Sequence, residues 1–228
     1  MKICLLSYRG EPYCGGQGIY IHYLSKGLRD LGHEVHVLSG PPHPYTVDDV
    51  VVHRLDSLDL YSLPPWHLPT RPLRLLRPLN LYEFLSVLTG GFPEPFTFSM
   101  RAYGSLRWRL RKIKFDVIHD NQCLGYGLLL MKRLGLPIVA TIHHPIHIDR
   151  DIEIAQAQGW RNKLRMRRWY SFLGMQHRVA KKVDRIIVVS NNSARDTARN
   201  FKLSPNKIRV VHNGVDSNVF KRDESIQK

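Results

Sequence analysis

Four apolar residues, Ile3 to Leu6, are followed within twelve positions by Gly15, Gly16, Gln17 and Gly18, and then by Ile21, Leu24, Leu28 and Leu31 at spacings of three and four. The first pattern is that of a strand covered on both faces, and the last is that of a helix with one apolar stripe. Gly32 stands where a left-handed residue closes a helix, and Val35 to Leu38 is a second apolar run. Strand, glycine-bearing loop, helix and strand in that order make a βαβ unit, which needs a parallel sheet to bury it.

The alternation returns later in the chain. Asp116 to His119 reads as a strand, Leu124 to Leu134 as a helix, and Pro137 to Ile142 as a strand. Arg185 to Val189 is a further strand, Asn191 to Phe201 a helix, and Ile208 to Val211 a last strand. The fold class expected is therefore α/β, a Rossmann-like, doubly wound, mainly parallel sheet. It occupies residues 1–220 as one domain, with a polar tail at 221–228. Pro41 to Phe98 is rich in proline and shows only a strand at Val50 to Leu55 and a short helix at Leu81 to Leu88. A stretch that long is a functional insertion (41–98) rather than a connection.

The 228 residues are 43% hydrophobic and 23% charged, which supplies a globular core and excludes a disordered chain. Lys and Arg number 34 against 19 acids, a net charge of +15. Such an excess implies a polyanionic neighbour: nucleic acid, an anionic membrane face or a phosphorylated ligand. Cys4, Cys14 and Cys123 are odd in number and widely spaced, as expected of reduced thiols in a cytosolic protein. The apolar run at the N-terminus is too short for a signal-peptide core or a membrane span, so a protein that sits on a membrane without crossing it is expected.

Glycines at a strand-to-helix junction let backbone approach a ligand, and the helix start favours a phosphate; the competing reading is a tight turn with no ligand. The loop lacks the spacing of the dinucleotide fingerprint and the Gly-Lys-Ser/Thr of a Walker A loop. His119, Asp120 and Asn121 end one predicted strand, and His143 and His144 end the next. Ligands of open α/β sheets bind outside the carboxyl ends of the strands, so these groups are expected to face the glycine loop. A neutral imidazole there can orient an acceptor hydroxyl, or it can simply hydrogen-bond loop backbone. His143, His144 and His147 invite a metal reading, but Pro145 and the strand-end position lack the helical zincin geometry, so no metal is expected.

Two stretches combine an apolar stripe with cations and no acid. Met100 to Lys114 sets Tyr103, Leu106, Leu110 and Ile113 against Arg101, Arg107, Arg109, Arg111, Lys112 and Lys114. Trp160 to Val183 sets Met166, Trp169, Tyr170, Leu173 and Ala180 against Arg161, Lys163, Arg165, Arg167, Arg168, Arg178 and Lys181. Both read as basic amphipathic helices whose stripes pack on the sheet and whose cations, Arg107, Arg111, Arg161, Arg165 and Arg168 among them, face an anionic membrane. Nucleic acid is the disfavoured competitor, because neither helix has a helix-turn-helix or zinc-finger setting.

Five of these stretches, in order along almost the whole chain, resemble the N-terminal domain of the family 4 glycosyltransferases, which have the GT-B fold. They are Gly15 to Gly18 with the helix through Leu31-Gly32-His33-Glu34-Val35, Phe115 to His119, Ala140 to His144, Ile186 to Ser190, and Val211-His212-Asn213-Gly214-Val215-Asp216 with Phe220. The resemblance implies the acceptor half of a two-domain cleft that transfers sugar from a nucleotide sugar, with retention and usually without a metal or other cofactor. It implies that backbone N–H groups at Gly16 to Gly18 contact the donor diphosphate and that His143 lies near the transferred sugar, with His144 a less favoured substitute. Asp120 and Asn121 would shape the acceptor pocket, and Ser190 and Asn213 would line the hinge side. The implied acceptor is lipid-linked or a polysaccharide at the inner, cytoplasmic membrane face. The resemblance also implies a donor-binding C-terminal domain absent from this sequence, so little or no transfer is expected of this chain alone. The alternative is a non-catalytic module that binds anionic lipid, glycan or nucleic acid, or pairs with a separate C-terminal subunit.

Overall fold

The computed structural model describes residues 1–11, 16–60 and 72–217. Gly15, Cys14, Phe220, the tail at 221–228 and part of the 41–98 insertion therefore lie outside the described residues. Among the described residues seven strands form one sheet in the order β3-β2-β1-β4-β5-β6-β7, and every neighbouring pair is parallel. They are β1 (Lys2–Ser7), β2 (Glu34–Ser39), β3 (Val51–Arg54), β4 (Val117–Asn121), β5 (Ile138–Ile142), β6 (Arg185–Val188) and β7 (Ile208–Val210). The strand order reverses beside β1, where chain direction opens a crevice at the carboxyl ends of β1 and β4.

The two faces of the sheet are filled by the alternation of side chains along each strand. Ile3 and Leu5 point to one side with Val35 and Val37, where Ile21, Leu24 and Leu28 of α1 (Gly16–Asp30) cover them. Cys4 and Leu6 point to the other, against Phe98, Ala102, Leu124 and Leu128 of α3 (Glu94–Gly104), α4 (Gly127–Arg133) and the loop before α4. Each fully buried leucine on either face contributes about 2 kcal/mol. Gly32 takes φ +81 as the helix closes, but Leu31, expected in the stripe of α1, is 74% exposed. It falls after the last helical residue, where the helical period no longer aims it at the sheet.

Both long basic segments differ from the single helices expected. The first starts earlier, as α3 at Glu94, passes into a π-helical turn at Ser105–Arg109 and ends at Leu110, so Arg111, Lys112 and Lys114 lie beyond any helix. Leu106 is buried and Tyr103, Leu110 and Ile113 pack on the core, so the stripe itself seats as expected. The second is broken into α6 (Trp160–Trp169), a 3-10 turn at Tyr170–Phe172, and α7 (Leu173–Ala180). The break turns Tyr170, Phe172 and Leu173 inward onto Phe92 of the insertion. Helix α5 (His147–Gln156), with Asp149 in its first turn, was not expected from the pattern.

The insertion holds α2 (Pro78–Leu88) and the start of α3. It is bolted to the end of β1 by Arg9, whose Nε and Nη2 donate to the two carboxylate oxygens of Glu94 at 2.5 and 2.7 Å. A second inner pair joins α3 to α2: Arg101 donates to Glu83 Oε2 at 2.5 Å and to Asn80 Oδ1 at 2.7 Å. Helix α8 (Asn191–Phe201) ends on Lys202 in the left-handed region. Among the described residues no helix is long and apolar enough to cross a membrane.

Candidate functional site

Parallel register places Leu6, Asp120 and Ala140 side by side, and Asn121 beside Thr141, so the tips of β1, β4 and β5 open together beneath the first turn of α1. That turn carries no acidic residue, which leaves the positive end of the helix dipole available to an anion. The two described glycines there differ. A Cβ on Gly18 would lie 2.0 Å from the Glu11 carbonyl oxygen, so Gly18 is required by the chain's own loop. A Cβ on Gly16 would meet nothing within 4 Å among the described residues, so on their side its backbone is open.

Asn121 joins this loop to the histidine expected at the site. Its Nδ2 donates to the Gln17 carbonyl at 3.4 Å, and its Oδ1 lies 2.7 Å from His143 Nε2. An amide oxygen only accepts, so the proton between them belongs to His143 Nε2. Burial holds the His143 pKa below the ordinary histidine value, which keeps the ring neutral at pH 7 and leaves Nδ1 as its acceptor nitrogen. Tyr20 meets the His143 ring edge-on at 4.5 Å, and its hydroxyl is 3.2 Å from Thr141 Oγ1. Thr141 also pairs with His119 Nε2 at 2.7 Å, and burial pushes the His119 pKa down to about 4, with His143 adding to the shift. His119 is thus a neutral partner within the sheet edge. The Gln17 side chain turns away and donates to the Tyr8 hydroxyl at 3.3 Å.

Asp120, expected in the acceptor pocket, does not reach the crevice. It is 0% exposed, and its Oδ2 accepts from Leu124 N at 2.9 Å, tying down the loop after β4. Burial pushes its carboxyl up to about 7, against the lowering effect of the Leu124 and Cys123 amides, and Oδ1 has no partner among the described residues. The residue alternation along β4 accounts for this: His119 and Asn121 face one way, and Asp120 faces the core packed by α3 and α4.

The three histidines considered for a metal diverge. His143 turns to Asn121, exposed His144 to Asp149 Oδ1 at 3.1 Å, and buried His147 against the Phe201 ring at 4.8 Å. Among the described residues no cluster of three His, Cys, Asp or Glu is placed to hold a metal. His144 is therefore a rim residue whose ring is engaged with α5.

Ser190 caps α8, its Oγ accepting from Ser193 N at 3.1 Å, and Ser193 Oγ in turn lies 3.5 Å from the His143 carbonyl. Asn213 is exposed and lines an open groove of about 670 Å³ with Gly16, Tyr20, Tyr23 and Lys26 of α1. The groove is continuous with the glycine turn through Gly16 and Tyr20. Of the expected membrane-facing cations, Arg107, Arg111, Arg161 and Arg165 are exposed. Arg168 is half-buried and donates to Ser171, Ser86 and Thr89 hydroxyls. Arg101 is withdrawn altogether by Glu83.

The sequence pattern gave no role to Tyr8, Tyr20, Thr141 and Ser193 of these contacts, nor to Gln122 and Gln176, which bond the loop after β4 to the end of β5 and to α7. Tyr20 and Thr141 adjoin motif residues and their placement follows from register. Gln176 bonds across 53 residues to the Cys123 carbonyl, a contact no local pattern announces.

A family model described as Glycosyltransferase Family 4 matches residues 14–219. Among curated proteins the chain is similar to an MMP alpha-(1->4)-mannosyltransferase of Mycolicibacterium hassiacum, 48% identical over 226 residues that cover 98% of this chain and 54% of that protein. It is also similar to a D-inositol 3-phosphate glycosyltransferase of Thermobispora bispora, 25% identical over 231 residues, 95% of this chain and 45% of that protein. Among solved structures, WaaG, a glycosyltransferase involved in lipopolysaccharide biosynthesis, superposes with a TM-score of 0.57 at 10% identity, over 95% of this chain and 46% of that one. HepE of Anabaena in complex with UDP and glucose gives 0.53 at 16% identity, over 99% and 48%. These two show the fold, the Rossmann-like N-terminal domain of a GT-B architecture. The chain spans about half the length of the curated relatives it matches.

Proposed function

We propose, from the fact that this chain belongs to glycosyltransferase family 4, that it forms the acceptor-side half of an enzyme that transfers sugar from a nucleotide sugar in glycan biosynthesis. The observation that carries the reading is Asn121, which bonds at once to the glycine turn and to His143. Donor phosphates at the Gly16 side of that turn would meet helix N–H groups and the positive end of a helix dipole whose first turn holds no acid, as negative charge develops on the leaving group. His143 would then stand beside the transferred sugar, offering a neutral ring whose Nδ1 is an acceptor.

In this reading the bond from the anomeric carbon to the donor phosphate breaks while the bond to the acceptor oxygen forms on the same face. The acceptor's proton passes to the departing phosphate, and bonding on the face that the phosphate leaves retains the configuration. The Mycolicibacterium relative is named for an α-(1→4) mannosyl transfer, and at 48% identity we assign the same transfer to the whole protein. Asn213 and the groove of about 670 Å³ beside it would lie on the hinge side, toward a donor-binding domain. The exposed Trp160, Leu164, Arg161 and Arg165 of α6 favour work at an anionic membrane surface on the cytoplasmic side, where a lipid-linked or polysaccharide acceptor would be met.

The test is sugar transfer by the whole protein, offered nucleotide-activated mannose or glucose and an α-(1→4)-linked mannose oligosaccharide. Expected is mannose transfer with an α linkage, and a drop of about 100-fold or more in kcat for His143→Ala with the fold intact by circular dichroism. Absence of transfer from any nucleotide sugar, or full turnover by His143→Ala, would overturn the reading.

A further inference from the structure

Beyond β4 the chain turns away from β5 at Gln122, which has φ 55 and is only 6% exposed. That left-handed conformation suits glycine and asparagine better than glutamine, so backbone geometry does not explain the residue. Its side chain does. Gln122 Oε1 accepts from His143 N at 2.8 Å, and Nε2 donates to the His144 carbonyl at 2.7 Å. The amide thus supplies the next rung of the parallel ladder after the β4 backbone has left it, and it fixes the main chain on both sides of the His143 side chain.

The loop carrying Gln122 is braced in turn. Gln176 Nε2 on α7 lies 3.3 Å from the Gln122 carbonyl and 3.1 Å from that of Cys123, while Asp120 holds Leu124 N. His143 is therefore fixed twice by consecutive residues, its ring by Asn121 and its backbone by Gln122. We propose that Gln122 is a positioning residue for His143 in sugar transfer, and that Gln176 braces it. The proposal rests on the glycosyltransferase reading and adds a residue to it.

The discriminating variant, made in the whole protein, is Gln122→Asn. Asparagine keeps the amide and prefers the left-handed backbone, but it is one methylene too short to reach both His143 and His144. A merely structural role for the turn predicts wild-type turnover. Positioning predicts a folded protein by circular dichroism, a kcat lower by about tenfold or more, and a donor KM within about twofold. Gln176→Met, which keeps the packing volume and removes the brace, should lower kcat by about threefold on the same argument.

Wild-type kcat in Gln122→Asn, alongside an inactive His143→Ala, would overturn the positioning role while leaving the enzyme reading in place. Full activity in His143→Ala would overturn both. Should Gln122→Asn fail to fold, an unchanged kcat in Gln176→Met overturns the proposal.

Discussion

At the tips of β4 and β5 the polar side chains are short, neutral and bonded to one another, whereas on the flank built by α2, α3 and α6 they are long, charged and divided between an inner ion pair and an outer row facing solvent. Asn121, Gln122, Thr141 and His143 each reach a partner at 2.7 or 2.8 Å without carrying a full charge. Arg101 and Glu83 on the flank are 12% and 1% exposed and depend on each other, while Arg161 and Arg165 stand in the open. A neutral network can be buried at low desolvation cost and hold a ring to within a fraction of an ångström. A buried ion pair is stable only while both members remain.

The sharpest way to expose that difference is to remove half of the inner pair. Arg101→Leu leaves the Glu83 carboxylate buried; burial already raises its pKa, with Arg101 the leading influence holding it down. Chemical denaturation should show a loss of about 3–5 kcal/mol. A loss below about 1 kcal/mol would mean that water reaches Glu83 and that the flank is no different from an ordinary surface.

Asp120 is the exception at the tips, an acid among neutral groups, and it gives the next largest effect. Its folded pKa, about 7, exceeds the ordinary 3.8, so the folded state holds an extra proton between those values and stability falls as pH rises through 7. His119 runs the other way: its folded pKa, about 4, lies below the ordinary 6.5, so stability present above 6.5 is lost as pH falls toward 4. The two offset each other between pH 4 and 6.5. Asp120→Asn should therefore be more stable than wild type at pH 8, by no more than about 4 kcal/mol, with the gap closing as pH falls toward 4. A gap independent of pH would sink this account.

The strands were legible to within a residue or two because buried parallel strands are continuous apolar runs, as at Ile3 to Leu6 and Ile138 to Ile142, and α8 was legible to its end residues. The basic segments were legible only as periodicity. Nothing within Met100 to Lys114 shows that Arg101 is claimed by Glu83 from another helix, or that Trp160 to Val183 breaks so that Tyr170 and Phe172 can turn onto Phe92. At the candidate site, the sequence placed His143, Asn121 and the glycine turn at one end of the sheet but could not separate Asn121 from Asp120. Which of two adjacent polar residues faces a crevice depends on which sheet face is covered there.

The glycine turn divides in the same way. Gly18→Ala puts a methyl group 2.0 Å from the Glu11 carbonyl oxygen, so the loop must move at a cost of about 1–3 kcal/mol. Gly16→Ala meets no atom of the described residues and replaces glycine by a better helix former, so stability should hold or rise by up to about 1 kcal/mol. Donor binding by the whole protein should nonetheless weaken in Gly16→Ala, if phosphate occupies that open side. Unchanged donor affinity would assign the turn to packing alone.

The smallest effect tests the outer row. Arg161 lies in the first turn of α6, which holds cations and no acid, and its guanidinium sits over the Trp160 ring at 5.4 Å. A cation at a helix N-terminus opposes the dipole, by about 0.3–1 kcal/mol when exposed. Arg161→Ala should therefore leave the melting temperature unchanged or slightly raised. Binding of the whole protein to vesicles containing phosphatidylserine should fall by about fivefold, the equivalent of about 1 kcal/mol for one surface cation, and binding to uncharged phosphatidylcholine vesicles should not change. A residue that costs its own helix stability while strengthening contact with an anionic surface is placed for that surface; equal binding to both vesicles before and after the substitution would remove the membrane from the function of α6.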